Sequence, residues 1–251
     1  MALMTDLAVH IEHLAFSYSD QHKPLFTDLN LEVETGESFG IFGPNGAGKT
    51  TLMSIMTGLI PYQSGSVKLL QQEVATKSKR FNKCFGFVPQ DFSFYHELTP
   101  VENLAFFGAW SGLDTTTIRR RTDELLTVLG LSDVRNKQVQ KFSGGMKRRV
   151  NLAISVIHQP KILFLDEPTV GVDVQTRFAI IDYLKKLNTE GTTLIYTSHQ
   201  LHEAESLCRK IAMIDEGSII VHDTLENLLQ QHHQHGLEGL FLTLTGKSYR
   251  D

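Results

Sequence analysis

Residues 43–50 read Gly43-Pro44-Asn45-Gly46-Ala47-Gly48-Lys49-Thr50: a glycine, four residues, then Gly-Lys-Thr. This is the spacing of a phosphate-binding loop. Its glycines admit positive φ, which is expected at Gly43, Gly46 and Gly48, so that consecutive amide N–H groups point into one concavity. Lys49 brings a point charge for the outer phosphates of a nucleotide, and the Thr50 hydroxyl can ligate Mg2+. The flanks agree with this reading. Residues 37–42 (Glu-Ser-Phe-Gly-Ile-Phe) read as a buried strand, and residues 50–57 read as a helix stopped by Gly58. A helix starting at Thr50 and Thr51 would turn the favourable end of its dipole toward the phosphates.

Working outward, the segments before the loop alternate. Residues 8–14 and 25–33 read as two strands joined by the polar turn Ser19-Asp20-Gln21-His22-Lys23-Pro24. Short strands are expected near 66–70 and at 85–88, the second stopped by Pro89. From Gln90 to about Ile157 the pattern becomes helical. Thr99-Pro100-Val101-Glu102 is a capping box with proline at the first helical position, and Leu104, Phe107 and Trp110 are expected to continue one apolar face. A second helix is expected over 116–129, and a third after Ser143-Gly144-Gly145 with Val150, Ile154 and Ile157 inward. Beyond Pro160 strand and helix alternate: strands at 161–165 and 193–197, helices at 175–187 and 200–208, and a hairpin at 210–215 and 218–221. The expected fold is α/β: a P-loop NTPase core with a mainly parallel sheet, an N-terminal antiparallel β-subdomain and an inserted α-helical subdomain. One domain covers 1–251, with the core in 1–90 and 158–222, the helical subdomain in 91–157 and a C-terminal tail in 223–251.

Composition narrows the function classes. A formal net charge of −4 argues against a nucleic-acid binder acting through bulk electrostatics. The basic run Lys147-Arg148-Arg149 reads as the solvated face of a helix, and His232-His233-Gln234-His235 as a solvated loop. No apolar run approaches membrane-spanning length and no leader pattern opens the chain, so any membrane role is expected to come through a partner. Cys84 and Cys208 are far apart in sequence and are expected to be reduced thiols of a cytoplasmic protein.

A second chemical element lies at 162–167. The apolar run Ile162-Leu163-Phe164-Leu165 ends in Asp166 and Glu167, which a parallel strand would deliver to the sheet edge where the phosphate loop also sits. Asp166 is the candidate Mg2+ holder, and Glu167 the candidate for polarising an attacking water.

Taken in order, the loop at 43–50, Ser143-Gly144-Gly145, Leu165-Asp166-Glu167-Pro168-Thr169, Gly171-Val172-Asp173 and Ser198-His199 resemble the nucleotide-binding subunit of an ABC transporter, over nearly the whole chain. The resemblance implies ATP and Mg2+ as ligands and assigns roles by position. Tyr18 stacks on adenine, with Phe16 the competing aromatic. Gln90 senses Mg2+ and the water and links to the membrane partner. His199 contacts the γ-phosphate, and Asp173 couples two sites across a dimer. Ser143, Gly144 and Gly145 bind the ATP held by a second subunit, and Phe142 and Met146 depart from the commonest form of that motif. The implied partners are a separate polytopic membrane permease and a second ATPase subunit forming a homodimer, with no nucleic acid. The implied location is the inner face of the cell membrane. Ser143 to Arg149 and the stretch from Leu237 to Gly246 are similar to ATPases of drug, polysaccharide or lipid exporters. An importer ATPase, or a soluble ABC ATPase acting on ribosomes or DNA, is the alternative.

Overall fold

The N-terminal alternation forms two antiparallel strands, β1 (Leu7–Phe16) and β2 (Phe26–Glu34), with Ile11 opposite Leu31. The computed structural model describes residues 6–20, 23–76 and 81–246, so Gln21 and His22 of the expected turn lie outside the described residues. β3 (Ser38–Phe42) enters the 43–48 loop, and α1 (Lys49–Met56) leaves it. β4 (Ser64–Leu69) and the short β5 (Gln72–Glu73) complete an antiparallel sheet ordered β2-β1-β4-β5. A single turn, α2 (Phe81–Cys84), leads into β6 (Phe85–Val88). Three helices follow: α3 (Pro100–Trp110), α4 (Thr115–Val128) and α5 (Gly144–Val156). The chain then returns as β7 (Ile162–Asp166), α6 (Val174–Thr189), β8 (Thr193–Thr197), α7 (Leu201–Leu207), β9 (Lys210–Asp215) and β10 (Ser218–Thr224). It closes with α8 (Leu225–Gln231) and α9 (Leu237–Thr245).

The central sheet runs β10-β9-β3-β8-β7-β6, parallel from β9 to β6, with β10 turned back beside β9. Parallel neighbours need helical crossovers, and these cover both faces. Every residue of β3, β7 and β8 is therefore buried. Alternate side chains of β7 serve two different cores. Ile162 and Phe164 meet α1 and the antiparallel sheet, while Leu163 and Leu165 meet the core built with α5, α6 and α7. Because α1 is covered by sheet on both sides, Leu52, Met53, Ile55 and Met56 are all buried in its two turns. The fold class is the one expected from the sequence.

The capping box is present. Thr99 Oγ1 accepts from the Glu102 N–H at 3.2 Å, and Glu102 Oε2 accepts from the Thr99 N–H at 2.8 Å. The face expected downstream is shorter than the sequence suggested: Leu104 is buried, Phe107 partly so, and Trp110 is 78% exposed. Each three-residue step falls about 60° short of a full turn, so two steps carry Trp110 about 120° away from the Leu104 direction. Among the described residues beyond Thr224, most are helical, in α8 and α9. α9 buries Leu237, Leu240 and Phe241 and packs against α7, where Glu205 accepts a hydrogen bond from the Leu237 N–H. His233 and His235 are exposed between α8 and α9. Cys84 and Cys208 are not joined in a disulfide. Among the described residues, no helix is long and apolar enough to cross a membrane.

Thr99→Ala removes the hydroxyl that accepts from the Glu102 N–H, while the backbone N–H bonded to Glu102 remains; it should lower stability by about 1 kcal/mol, read as an earlier urea midpoint at unchanged slope. An unchanged midpoint would show that tertiary packing alone sets the start of α3.

Candidate functional site

The site assembles where parallel strands end. β3 leads into the loop, β6 into Pro89 and Gln90, β7 into Glu167, and β8 into Ser198 and His199, so four adjacent strands deliver their chemistry to one sheet edge. Within the loop, Gly46 and Gly48 have φ of 81° and 105°. Gly43 is not a positive-φ residue, contrary to expectation. It is needed for closeness instead, since a Cβ there would lie 2.0 Å from the Ile214 carbonyl oxygen of β9. Gly48 caps α1 without a side chain, leaving the helix entrance to backbone N–H groups. Lys49 is buried, and its Nζ donates to the Gly43 and Pro44 carbonyls at 2.7 and 3.0 Å. Burial pulls its ammonium below the ordinary lysine value, and the charges of Glu167 and Asp166 oppose that shift.

Opposite the loop, Asp166 ends β7 with Oδ1 accepting from Thr197 Oγ1 at 2.7 Å. Glu167 turns the chain out of the strand at φ 52°, a left-handed conformation that glycine adopts without strain and glutamate does not. Its N–H donates to the Thr197 carbonyl at 3.2 Å, which pins this turn to β8. Its side chain collects two of the expected residues. Oε1 lies 2.5 Å from His199 Nε2, and Oε2 accepts from Gln90 Nε2 at 3.3 Å. Loop and carboxylate face one cavity of about 510 Å3, lined among others by Tyr18, Asn45, Lys49, Gln90, Glu167 and His199. Gly46, Gly48, Thr50 and Thr51 also line it, whereas Gly43 and Ala47 are buried behind the loop and Pro44 is set back. Of the two aromatic candidates, Tyr18 reaches the cavity, with its hydroxyl 2.8 Å from Thr51 Oγ1. Phe16 lies in the core against the edge of the Tyr18 ring.

The sequence pattern of the family described as ABC transporter matches residues 26–170. The chain belongs to the ABC transporter family. Linearmycin resistance ATP-binding protein LnrL of Bacillus subtilis is 40% identical over 206 residues, 82% of this chain and 66% of that protein. A Nod factor export ATP-binding protein I of Cupriavidus pinatubonensis is 38% identical over 204 residues, 80% of this chain and 63% of that one. The matched segment thus spans a little under two thirds of each relative's length. A solved structure described as the ATP binding subunit of an ABC transporter superposes with a TM-score of 0.87 at 25% identity, covering 95% of this chain and 99% of that one.

In this ABC-family chain Asp166 is buried just behind the cavity rather than lining it, and Ser143, Gly144, Gly145 and Asp173 stand away from it altogether. Ser143 caps α5, accepting from the Met146 N–H at 3.3 Å, and Gly144 and Gly145 occupy the first turn of that helix. Asp173 caps α6, accepting from the Thr176 N–H at 2.9 Å and its hydroxyl at 2.7 Å, bonds that hold the carboxyl below the usual aspartate range. The two helix starts touch. A Cβ on Gly145 would meet Thr176 and Asp173 within 3.2–3.4 Å. Ser143 and Gly144 are exposed on this side.

The expectation that 147–149 forms a solvated face is corrected. Arg148 is buried, stacks on Phe92 at 4.9 Å, and donates through Nη1 to the Pro89 and Gln90 carbonyls at 3.1 and 2.9 Å. Burial lowers its pKa, partly offset by Glu167 and Asp91. Arg149 donates to the Leu129 carbonyl at 2.8 Å, closing the end of α4. Asn151 accepts from the Ser93 N–H at 3.3 Å, and Ser155 Oγ donates to the Phe87 carbonyl at 2.6 Å. Arg148, Asn151 and Ser155 thus form one polar stripe of α5 that grips β6 and the segment carrying Gln90. Sequence reasoning missed this stripe, although an Asn and a Ser set three and seven residues after Arg148, among the apolar residues of 150–156, were its visible trace. Arg148→Met keeps the stem but removes the charged donor from the Pro89 and Gln90 carbonyls, and should cost about 1–3 kcal/mol in chemical denaturation with faster proteolysis near Gln90. Wild-type values for both would remove Arg148 from this role.

Proposed function

We propose that this chain is the ATP-binding and ATP-hydrolysing subunit of an ABC transporter, driving export through a separate membrane permease. The observation that carries the reading is the meeting of Gln90, Glu167 and His199 at one carboxylate facing the loop that bears Lys49. Phosphoryl transfer to water needs positioning and charge stabilisation more than covalent chemistry. Lys49 and the N–H groups opening α1 offer charge and donors to the phosphates. Glu167 accepts the proton of an attacking water as general base, and His199 and Gln90, bonded to the same carboxylate, orient water and γ-phosphate. Tyr18, at the rim, offers a ring face to the base.

The oxygens of Thr50 and Gln90, which line the cavity, and the carboxylate of Asp166 buried behind it are of the kind that suits Mg2+, a hard cation that takes carboxylate, hydroxyl and carbonyl oxygens. When bound, Mg2+ would supply charge neutralisation between the outer phosphates.

Ser143, Gly144 and Asp173 are exposed at helix starts away from the cavity, with Gly145 buried between them, which supports a second copy of the chain whose ATP this surface would cap. The division into core, helical subdomain and C-terminal segment given by the sequence belongs to the same reading. Export is favoured over import by two relatives whose names denote linearmycin resistance and Nod factor export. The protein would sit at the inner face of the cell membrane through its permease. Copurification from detergent-solubilised membranes should recover a polytopic protein. Recovery of ribosomes or DNA instead would favour the soluble ATPase alternative.

Glu167→Gln should retain nucleotide binding and lose steady-state phosphate release by about 10²-fold or more; a mutant with wild-type turnover would sink the general-base assignment. Lys49→Ala should weaken binding of a fluorescent ATP analogue by about 10–100-fold, and unchanged affinity would contradict the role of the loop.

A further inference from the structure

Glu203 is 5% exposed, lies on α7, does not line the nucleotide cavity and was assigned no role from sequence. Three groups converge on its carboxylate. Thr169 Oγ1 donates to Oε2 at 2.7 Å, and the Tyr196 hydroxyl donates to the same oxygen at 3.3 Å. Arg177 Nε lies 2.9 Å from Oε1, an ion pair without the alignment of a hydrogen bond. Burial, reinforced by the Glu203 charge, raises the pKa of the Tyr196 phenol and keeps it a donor.

The positions of those partners matter more than their number. Thr169 sits in the turn that Glu167 opens, closed by a Val170 N–H bond to the Glu167 carbonyl at 3.3 Å. Arg177 is one turn into α6, with its own N–H bonded to the Asp173 carbonyl at 2.9 Å. Tyr196 lies on β8 just before His199, and Glu203 itself stands one turn beyond that histidine. The turn of Glu167, the helix headed by Asp173 and the segment bearing His199 therefore share one buried anion. Backbone bonds set β7 against β8 and hold the Glu167 N–H; the Glu203 carboxylate adds a side-chain tie to the turn that follows through Thr169.

We propose that Glu203 is a positioning residue for hydrolysis: through Thr169, Tyr196 and Arg177 it holds Glu167 and His199 at their working separation. The proposal rests on the reading of Glu167 as general base. It also links the Asp173 end of α6, which touches the start of α5, to that base in steps, through Arg177, Glu203 and Thr169.

Removing one partner of a buried ion pair can unfold a chain, so Thr169→Val, nearly isosteric and uncharged, is the discriminating variant and Thr169→Ser its rescue. In the purified full chain, Thr169→Val should lower the single-turnover rate of ATP hydrolysis by about 10–100-fold. Affinity for a fluorescent ATP analogue should stay within about twofold, and Thr169→Ser should restore the rate. In a Glu167→Gln background, Thr169→Val should produce no further loss, because both act on one unit. An unchanged rate for Thr169→Val, a parallel fall in rate and affinity, or full additivity with Glu167→Gln would overturn the proposal. Wild-type hydrolysis by Glu167→Gln alone would instead overturn the general-base reading on which it rests.

Discussion

The register of β7 between β6 and β8 is the constraint on which everything else hangs. Val88 stands opposite Leu165, and Asp166 opposite Thr197. Because β7 is buried on both faces, a one-residue slip would exchange the side chains of two cores. That makes the register nearly inviolable, and it sets the height at which each strand ends. The ends of β6, β7 and β8 therefore reach the sheet edge in step, and Gln90, Glu167 and His199 meet without any of them being placed by a long loop. Packing that has nothing to do with phosphate chemistry determines the geometry of the phosphate chemistry.

The antiparallel sheet has an equivalent part on the loop side. It closes over α1, whose apolar residues would otherwise face water, and so clamps the helix that begins at Lys49. Phe26 of β2 sits within 2.8 Å of where a Gly48 Cβ would stand, and β9 presses on Gly43 through the Ile214 carbonyl. The loop is thus gripped from both sheets. On the other flank, Arg148, Asn151 and Ser155 fasten α5 to β6, so a displacement of the helical layer is felt at Gln90 through hydrogen bonds rather than through loose contact.

Much of this was legible in the sequence, and what escaped it has physical causes. Strands such as 162–166 and 193–197 were readable because burial on both faces makes them continuously apolar. The start of α3 was readable because a capping box is local chemistry. Glu167 was legible as a carboxylate at the end of an apolar strand, whereas Gln90 and His199 were reached through resemblance, since nothing near Gln90 in sequence announces that its amide will face Glu167. The errors came where tertiary partners override local pattern. Arg148 looked like surface because the carbonyls it binds belong to residues far up the chain, and Gly43 looked like a φ requirement because the neighbour that forbids a side chain is on β9. Trp110 was assigned inward because a spacing of three drifts around a helix. Glu203 was invisible for the same reason as Arg148: all three of its partners come from other elements.

The left-handed backbone of Glu167 sets two demands on one residue. Glycine would sit there without strain, and by the usual measure of such sites the exchange would gain about 1 kcal/mol or more of fold stability. It would also delete the carboxylate on which Gln90 and His199 converge. Variation screened for thermal robustness would therefore drift toward glycine at 167, while variation screened for turnover would hold glutamate. At this position the most durable version of the protein and the working version are different molecules.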